Sequence, residues 1–133
     1  GRVDSEDLEK GKADKYLEDY IEDVEENGQL QIIEADTTIV PGIKVVHTPA
    51  HTKGGLTVFI DTDHGRAAIT GFCVIDENFN PPIQIKAMEM EVIPPGTPVN
   101  VYESYDIMMK IKEMADILIA LHEPKFASTD TIP

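Results

Sequence analysis

Two histidines follow directly on apolar segments and are candidates for metal binding. His51 lies in the run TPAHTKGG, residues 48–55, immediately after the extended segment Ile43 to His47. His122 follows the segment Asp116 to Leu121, which is apolar in its middle, and is followed by Glu123 and Pro124. Imidazole binds zinc at about 2.0–2.1 Å, so a ligand histidine needs a rigid loop, and proline and close-packed glycine supply one. Each histidine taken singly is equally well explained as an ordinary loop residue. The metal hypothesis therefore rests on the pair.

Other side chains with metal-binding chemistry occur near residue 75. Cys73, Asp76 and Glu77 could supply sulfur or oxygen ligands, but a buried thiol and a polar loop explain them as well. His47, within a strand, and His64, in an Asp-His-Gly turn, are interpreted as structural or solvent-facing. The sequence assigns no catalytic residue, because it has no nucleophile elbow around a serine or cysteine.

The N-terminal segment predicts an acidic amphipathic helix from Asp4 to about Asn27. Apolar residues recur there at steps of three and four, Ser5 suits the N-terminal end, and Asn27-Gly28 predicts the C-terminal end. The acidic remainder is interpreted as a solvated helix face, with an interaction surface as the alternative.

Short extended segments, separated by proline- and glycine-containing turns, predict a β-meander after this helix. They are Leu30 to Glu34, Thr37 to Val40, Ile43 to His47, Leu56 to Asp61 and Arg66 to Thr70. A proline-rich excursion over 76–100 allows at most one strand, between Ile83 and Val92. A helix from Val99 to about Ala115 and a strand from Asp116 to Leu121 complete the chain. This segregation of strands and helices predicts an α+β fold.

Three stretches together resemble a known family: Ile39 to Gly55, Ala68 to Gly71, and Ile117 to His122. They resemble the C-terminal half of the metallo-β-lactamase superfamily, within it most closely the N-acyl homoserine lactonase-like hydrolases. The resemblance implies half of an αβ/βα sandwich, with a mainly antiparallel sheet and flanking helices. It also implies that His51 is a ligand of the first and His122 a ligand of the second divalent metal, Zn or Fe, in a parent protein that hydrolyses a small ester or lactone.

The sequence departs from that family in three ways. The upstream motif His-x-His-x-Asp-His is absent, and Phe72 stands where the resemblance places a bridging aspartate. Ala50 and Leu121 replace common glycines, and Ile75 replaces a tyrosine near the substrate. Residues 1–133 are therefore predicted to be a single domain that lacks the N-terminal half and is inactive alone. The alternative is a degenerate, non-catalytic domain that binds a ligand or a protein partner.

Composition limits the partners. The net charge of −14 argues against nucleic acid, and no apolar stretch approaches the roughly 18 residues of a membrane span. The single cysteine fits a reducing cytoplasm. Half a sandwich would leave one sheet face uncovered, so we expect self-association or pairing with the missing N-terminal half.

Overall fold

The computed structural model describes residues 12–33 and 36–131, and the chain divides into two compact units, 1–34 and 35–133. In the first unit a helix, α1, spans Lys12–Glu26. It ends as predicted, because Gly28 adopts a φ of 66° and its N–H donates to the Glu25 carbonyl. The predicted N-terminal end at Ser5 lies outside the described residues. The predicted strand from Leu30 to Glu34 is wrong over residues 30–33, which have no regular structure.

The second unit is built on a five-stranded sheet that confirms the predicted meander and the α+β class. Its strands are β1 (Thr37–Val40), β2 (Ile43–His47), β3 (Leu56–Thr62), β4 (Gly65–Thr70) and β5 (Ile117–Ile119), and they are neighbours in that order. The first four pair antiparallel, and β5 pairs parallel to β4. Gly42, with a φ of 83°, provides the left-handed residue of the tight β1–β2 turn.

Helices connect β4 to β5. They are α2 (Asp76–Phe79), α3 (Ile83–Lys86) and α4 (Val101–Met114), and a 3₁₀ helix, Pro124–Ser128, follows β5. The region from Ile83 to Val92 contains a helix where the sequence allowed one strand. The predicted helix near 99–115 is confirmed as α4, whose N-cap is Asn100: its side-chain oxygen accepts a hydrogen bond from the Glu103 N–H at 3.0 Å.

The hydrophobic core lies between one face of the sheet and α4. Val46, Phe59 and Ala68 contribute from the strands, and Met108 and Ile111 contribute from the helix. Val101, at the start of α4, is exposed, because the packed turn of the helix begins at Ser104. This core holds the ends of β2, β4 and β5 in fixed positions.

The opposite face of the sheet is also apolar. In one row Ile43 pairs with Ile60, Ile60 with Ala67, and Ala67 with Ile117. The neighbouring row contains Val45, Val58, Ile69 and Ile119. Most of these side chains are only partly buried, whereas a sheet face in a sandwich core is covered. Among the described helices, none is long and apolar enough to cross a membrane.

Candidate functional site

The candidate ligands come from strand ends on one edge of the sheet. Because β2 and β4 are both antiparallel to β3, they run in the same direction, and β5 runs parallel to β4. The C-terminal ends of these three strands lead to His51, Phe72 and His122 respectively. Strand axes lie about 4.8 Å apart, so β2 and β5 are separated by roughly 14 Å. The loops beyond the strands therefore decide which of these residues meet.

The His51 loop is closed by its own backbone. The Thr48 N–H donates to the Gly55 carbonyl at 2.8 Å, and the Ala50 N–H donates to the Thr48 carbonyl at 2.7 Å. Buried hydroxyls of Thr48 and Thr57, 2.9 Å apart, tie the loop to β3. A Cβ on Gly55 would lie 2.7 Å from the Thr48 carbonyl oxygen, so glycine is required for this closure.

The His51 ring is oriented by a residue far along the chain. Its Nδ1 lies 3.0 Å from the Gly96 carbonyl oxygen, and the Thr97 hydroxyl is 3.5 Å from the same nitrogen. A carbonyl oxygen can only accept, so Nδ1 carries a proton, and in the neutral ring Nε2 then has the lone pair. Metal-bound histidines commonly have this arrangement, in which one ring nitrogen donates to a carbonyl and the other binds the metal. The predicted ligand is therefore held in a suitable tautomer.

The other two histidines make contacts that suit structural roles. The His47 Nε2 lies 2.7 Å from the Lys53 carbonyl oxygen, and the His47 backbone N–H donates to Asp36 at 2.9 Å. This ring thus braces the far end of the His51 loop. The backbone N–H of exposed His64 donates to the Thr62 hydroxyl at 3.2 Å in the β3–β4 turn. Both observations agree with the interpretation from sequence.

The segment after β4 is turned into the core. Phe72, at the position of the family's bridging aspartate, is 2% exposed and packs in the hydrophobic cluster. A Cβ on Gly71 would lie 2.1 Å from the Leu56 carbonyl oxygen, so the chain passes β3 at a distance that only glycine allows. Cys73 is exposed, which corrects the interpretation as a buried thiol: Phe72 and Val74 take the inward positions on either side of it.

His122 is held through its backbone. Its N–H donates to the Val74 carbonyl at 3.0 Å, and the preceding N–H, of Leu121, donates to the Thr70 hydroxyl at 3.1 Å. These bonds place the His122 loop beside the Phe72 segment. The ring itself is exposed.

The acidic candidates beside this loop are partly engaged. The Asp76 N–H donates to the Glu123 carboxylate at 2.9 Å, and the Asp76 carboxylate accepts from the Lys125 ammonium. That hydrogen bond raises the pKa of Lys125 above its ordinary value. Asp76 therefore closes the loop around His122, while Glu77 is exposed.

Over residues 12–33 and 36–131, no three His, Cys, Asp or Glu side chains form a group able to hold a metal. The donor set of the described residues does not by itself fit a metal centre.

The sequence did not reveal Gly96 as the partner of His51. A backbone carbonyl carries no residue-type signal, and the contact spans 45 residues. The run Pro94-Pro95-Gly96-Thr97-Pro98 was visible as a stiff segment. Stiffness alone does not say which loop such a segment will contact.

Comparisons with known proteins place these features in context. No family model matches the chain. An N-acyl homoserine lactonase of Bacillus sp is 36% identical over 53 residues, which are 39% of this chain and 21% of that protein. The Bacillus cereus N-acyl homoserine lactonase is 34% identical over 53 residues, again 21% of its length. The chain thus spans about a fifth of the length of the curated relatives it matches.

Solved structures share the fold. One is an N-acyl homoserine lactone hydrolase with the product N-hexanoyl-L-homoserine at the catalytic metal centre; it matches with a TM-score of 0.56 and 24% identity, over 77% of this chain and 39% of that one. A quorum-quenching N-acyl homoserine lactone hydrolase matches with the same TM-score and identity over 40% of its length. The chain therefore resembles the N-acyl homoserine lactonases in sequence over part of its length, and it has the fold of part of these metallo-β-lactamase-type hydrolases.

Proposed function

We propose that this chain is one part of a metal-dependent hydrolase that acts on a small ester or lactone, and that it contributes His51 and His122 as metal ligands. As an isolated chain it is inactive in this proposal, because the ligands of the motif His-x-His-x-Asp-His would come from outside it. The metal is a divalent ion, Zn or Fe.

The His51 ring is the observation that carries the proposal. Its Nδ1–H donates to the Gly96 carbonyl, so Nε2 is the nitrogen that can bind a metal. The loop is stiffened by backbone bonds and by the buried Thr48–Thr57 contact. His122 follows the C-terminal end of another strand at the same edge of the sheet. An ordinary surface histidine does not need such support.

The sheet supports the idea of a larger protein. Its apolar second face, with Ile43, Ile60 and Ile117 in one row, is only partly buried. A second layer packed about 10 Å away would cover these side chains. We propose that this layer is the N-terminal half of the parent hydrolase, with self-association of this chain as the substitute when that half is missing.

Metal content tests the proposal. The longer protein, and this chain alone, are purified without a tag or chelator and analysed by plasma mass spectrometry, as native protein and as His51→Ala and His122→Ala variants. We expect stoichiometric zinc or iron in the native longer protein, its loss in both variants, and hydrolysis of a lactone or ester panel only where metal is present. His64→Ala, in an exposed turn, is the matched control and should keep the metal.

A well-folded longer protein that retains full metal in both His51→Ala and His122→Ala would contradict the ligand assignment. A metal-loaded longer protein that hydrolyses no ester, lactone or thioester would contradict the activity.

A degenerate, non-catalytic domain is the second candidate, and the burial of Phe72 favours it. The side chain at the bridging position, Phe72, is part of the core, so this position offers no carboxylate. In this case the native longer protein contains no stoichiometric metal, and the domain binds a ligand or a protein partner without hydrolysis.

A further inference from the structure

The carbonyl group that precedes His51 is held by a buried serine. The Ser104 hydroxyl, on α4, donates to the Ala50 carbonyl oxygen at 2.7 Å, and both residues are 0% exposed. The Val99 N–H donates to the same oxygen at 3.3 Å. Two donors from one neighbouring segment thus fix the peptide plane that leads into His51.

The same segment also holds the ring. Gly96 accepts from Nδ1 at 3.0 Å, so contacts from residues 96–104 reach both the backbone before His51 and its side chain. Thr97, within this segment, has a φ of 49°, in the left-handed region that a threonine rarely adopts. The Asn100 cap then begins α4, which carries Ser104 into the core one turn later.

We propose that Ser104 is a positioning residue for His51: its hydrogen bond to the Ala50 carbonyl keeps His51 in register with Gly96, and so holds the ring in the Nδ1–H tautomer with Nε2 free. A hydroxyl buried on the core face of a helix needs a hydrogen-bond partner, because burying it without one is unfavourable. The Ser104 hydroxyl donates its one hydrogen bond to the loop that carries the candidate ligand. In water a neutral histidine side chain favours the opposite, Nε2–H, tautomer, so the protein must impose this one.

The structure supplies an internal reference for the test. The His47 Nε2 lies 2.7 Å from the Lys53 carbonyl, so His47 must carry its proton on Nε2. Long-range ¹H–¹⁵N spectra of the full chain, recorded without metal at a pH where both rings are neutral, should therefore show His51 as Nδ1–H and His47 as Nε2–H.

Ser104→Ala removes the hydroxyl, and alanine is a better helix former than serine, so α4 is retained. We expect the ratio of Nδ1–H to Nε2–H in His51 to fall about threefold or more, which is within the effect of one hydrogen bond, while His47 is unchanged. Thr70→Val is the matched control: it removes another buried hydroxyl, which contacts the His122 loop, and should leave His51 as it is.

An unchanged His51 tautomer in folded Ser104→Ala would overturn the proposal, and so would Nε2–H at His51 in the native chain. If the amide spectrum shows that Ser104→Ala is unfolded, Ser104→Cys, of similar size and with a weaker donor, gives the same comparison. The inference rests on the proposed role of His51 but is read without metal. If the chain shows the expected tautomers but the longer protein binds no metal, the proposed function is refuted and the positioning role of Ser104 is not.

Discussion

The His51 loop and the corner from Thr70 to Val74 lie at the same edge of the sheet but are built from different contacts. Polar bonds hold the first: backbone closure, paired threonine hydroxyls, and the Gly96 and Ser104 contacts. Apolar packing holds the second, through Phe72 and Val74. Within the described residues the ring of His122, beside that corner, has no hydrogen-bond partner. One side of the edge is thus preorganised around an imidazole, whereas the other serves the core.

The contacts around His51 orient a side chain, whereas the contacts around Phe72 stabilise the core. Phe72 stabilises the core at the position where the family resemblance implies a carboxylate. This position therefore has no oxygen that could bind a metal. In the His51 loop, polar contacts reach both the backbone before His51 and its ring. Variants on the two sides should therefore differ in what they damage.

Gly71→Ala should give the largest effect. Its Cβ would lie 2.1 Å from the Leu56 carbonyl oxygen, a backbone atom that cannot move without opening β3. We expect a loss of about 3 kcal/mol or more in the free energy of unfolding, or no folded protein. Gly54→Ala, in the His51 loop, meets nothing within 4 Å and should be nearly neutral in urea unfolding monitored by circular dichroism. Equal effects of the two variants would show that the Gly71 corner is not tightly packed.

Phe72→Ala should come second. Removing a fully buried phenylalanine costs about 3–5 kcal/mol through lost burial and the cavity left behind. The matched control is Tyr102→Ala, an aromatic truncation at a position that is 84% exposed on α4, with an expected change within about 0.5 kcal/mol. Urea titrations of both variants measure this. A cost below about 1 kcal/mol for Phe72→Ala would mean that the corner is open enough to be a site.

Lys125→Met should give the smallest effect, and one that depends on pH. The hydrogen bond to Asp76 raises the pKa of Lys125 in the folded state, so the stabilisation is complete below the unfolded pKa of about 10.4 and is lost as the pH rises through the folded value. Thermal melts at pH 9 should place the variant below the native chain, and this difference should shrink as the pH rises above the unfolded pKa. Lys110→Met, at an exposed position of α4, is the control. A gap that persists at high pH would mean that packing, not charge, links Lys125 to this loop.

The sequence was sufficient for much of the sheet. β1 and β2 have the predicted bounds, because proline-glycine and glycine turns separate short β-branched runs. The same reasoning failed for residues 30–33, where apolar residues were present but a pairing partner was not. Strand formation depends on that partner, and local composition does not report it.

For the candidate site, the sequence predicted only which residues follow the ends of strands. His51 and His122 could be located because each follows an extended run. Their surroundings could not, since the bonds from Gly96 and Ser104 join residues 45 and 54 positions away. The sequence also did not show which of residues 72–74 face the core. Whether Phe72 or Cys73 is buried depends on which side of this segment the core lies.

The parallel pairing of β5 with β4 has a consequence for how the domain assembles. Strands β1 to β4 are joined by connections of two to eight residues and can pair through local contacts. In contrast, β5 can pair with β4 only after residues 71–116 have crossed the sheet. Closing such a long connection is entropically costly and slows folding. The meander should thus gain hydrogen-exchange protection before β5, and the His122 end of the edge should be the last part of the domain to form.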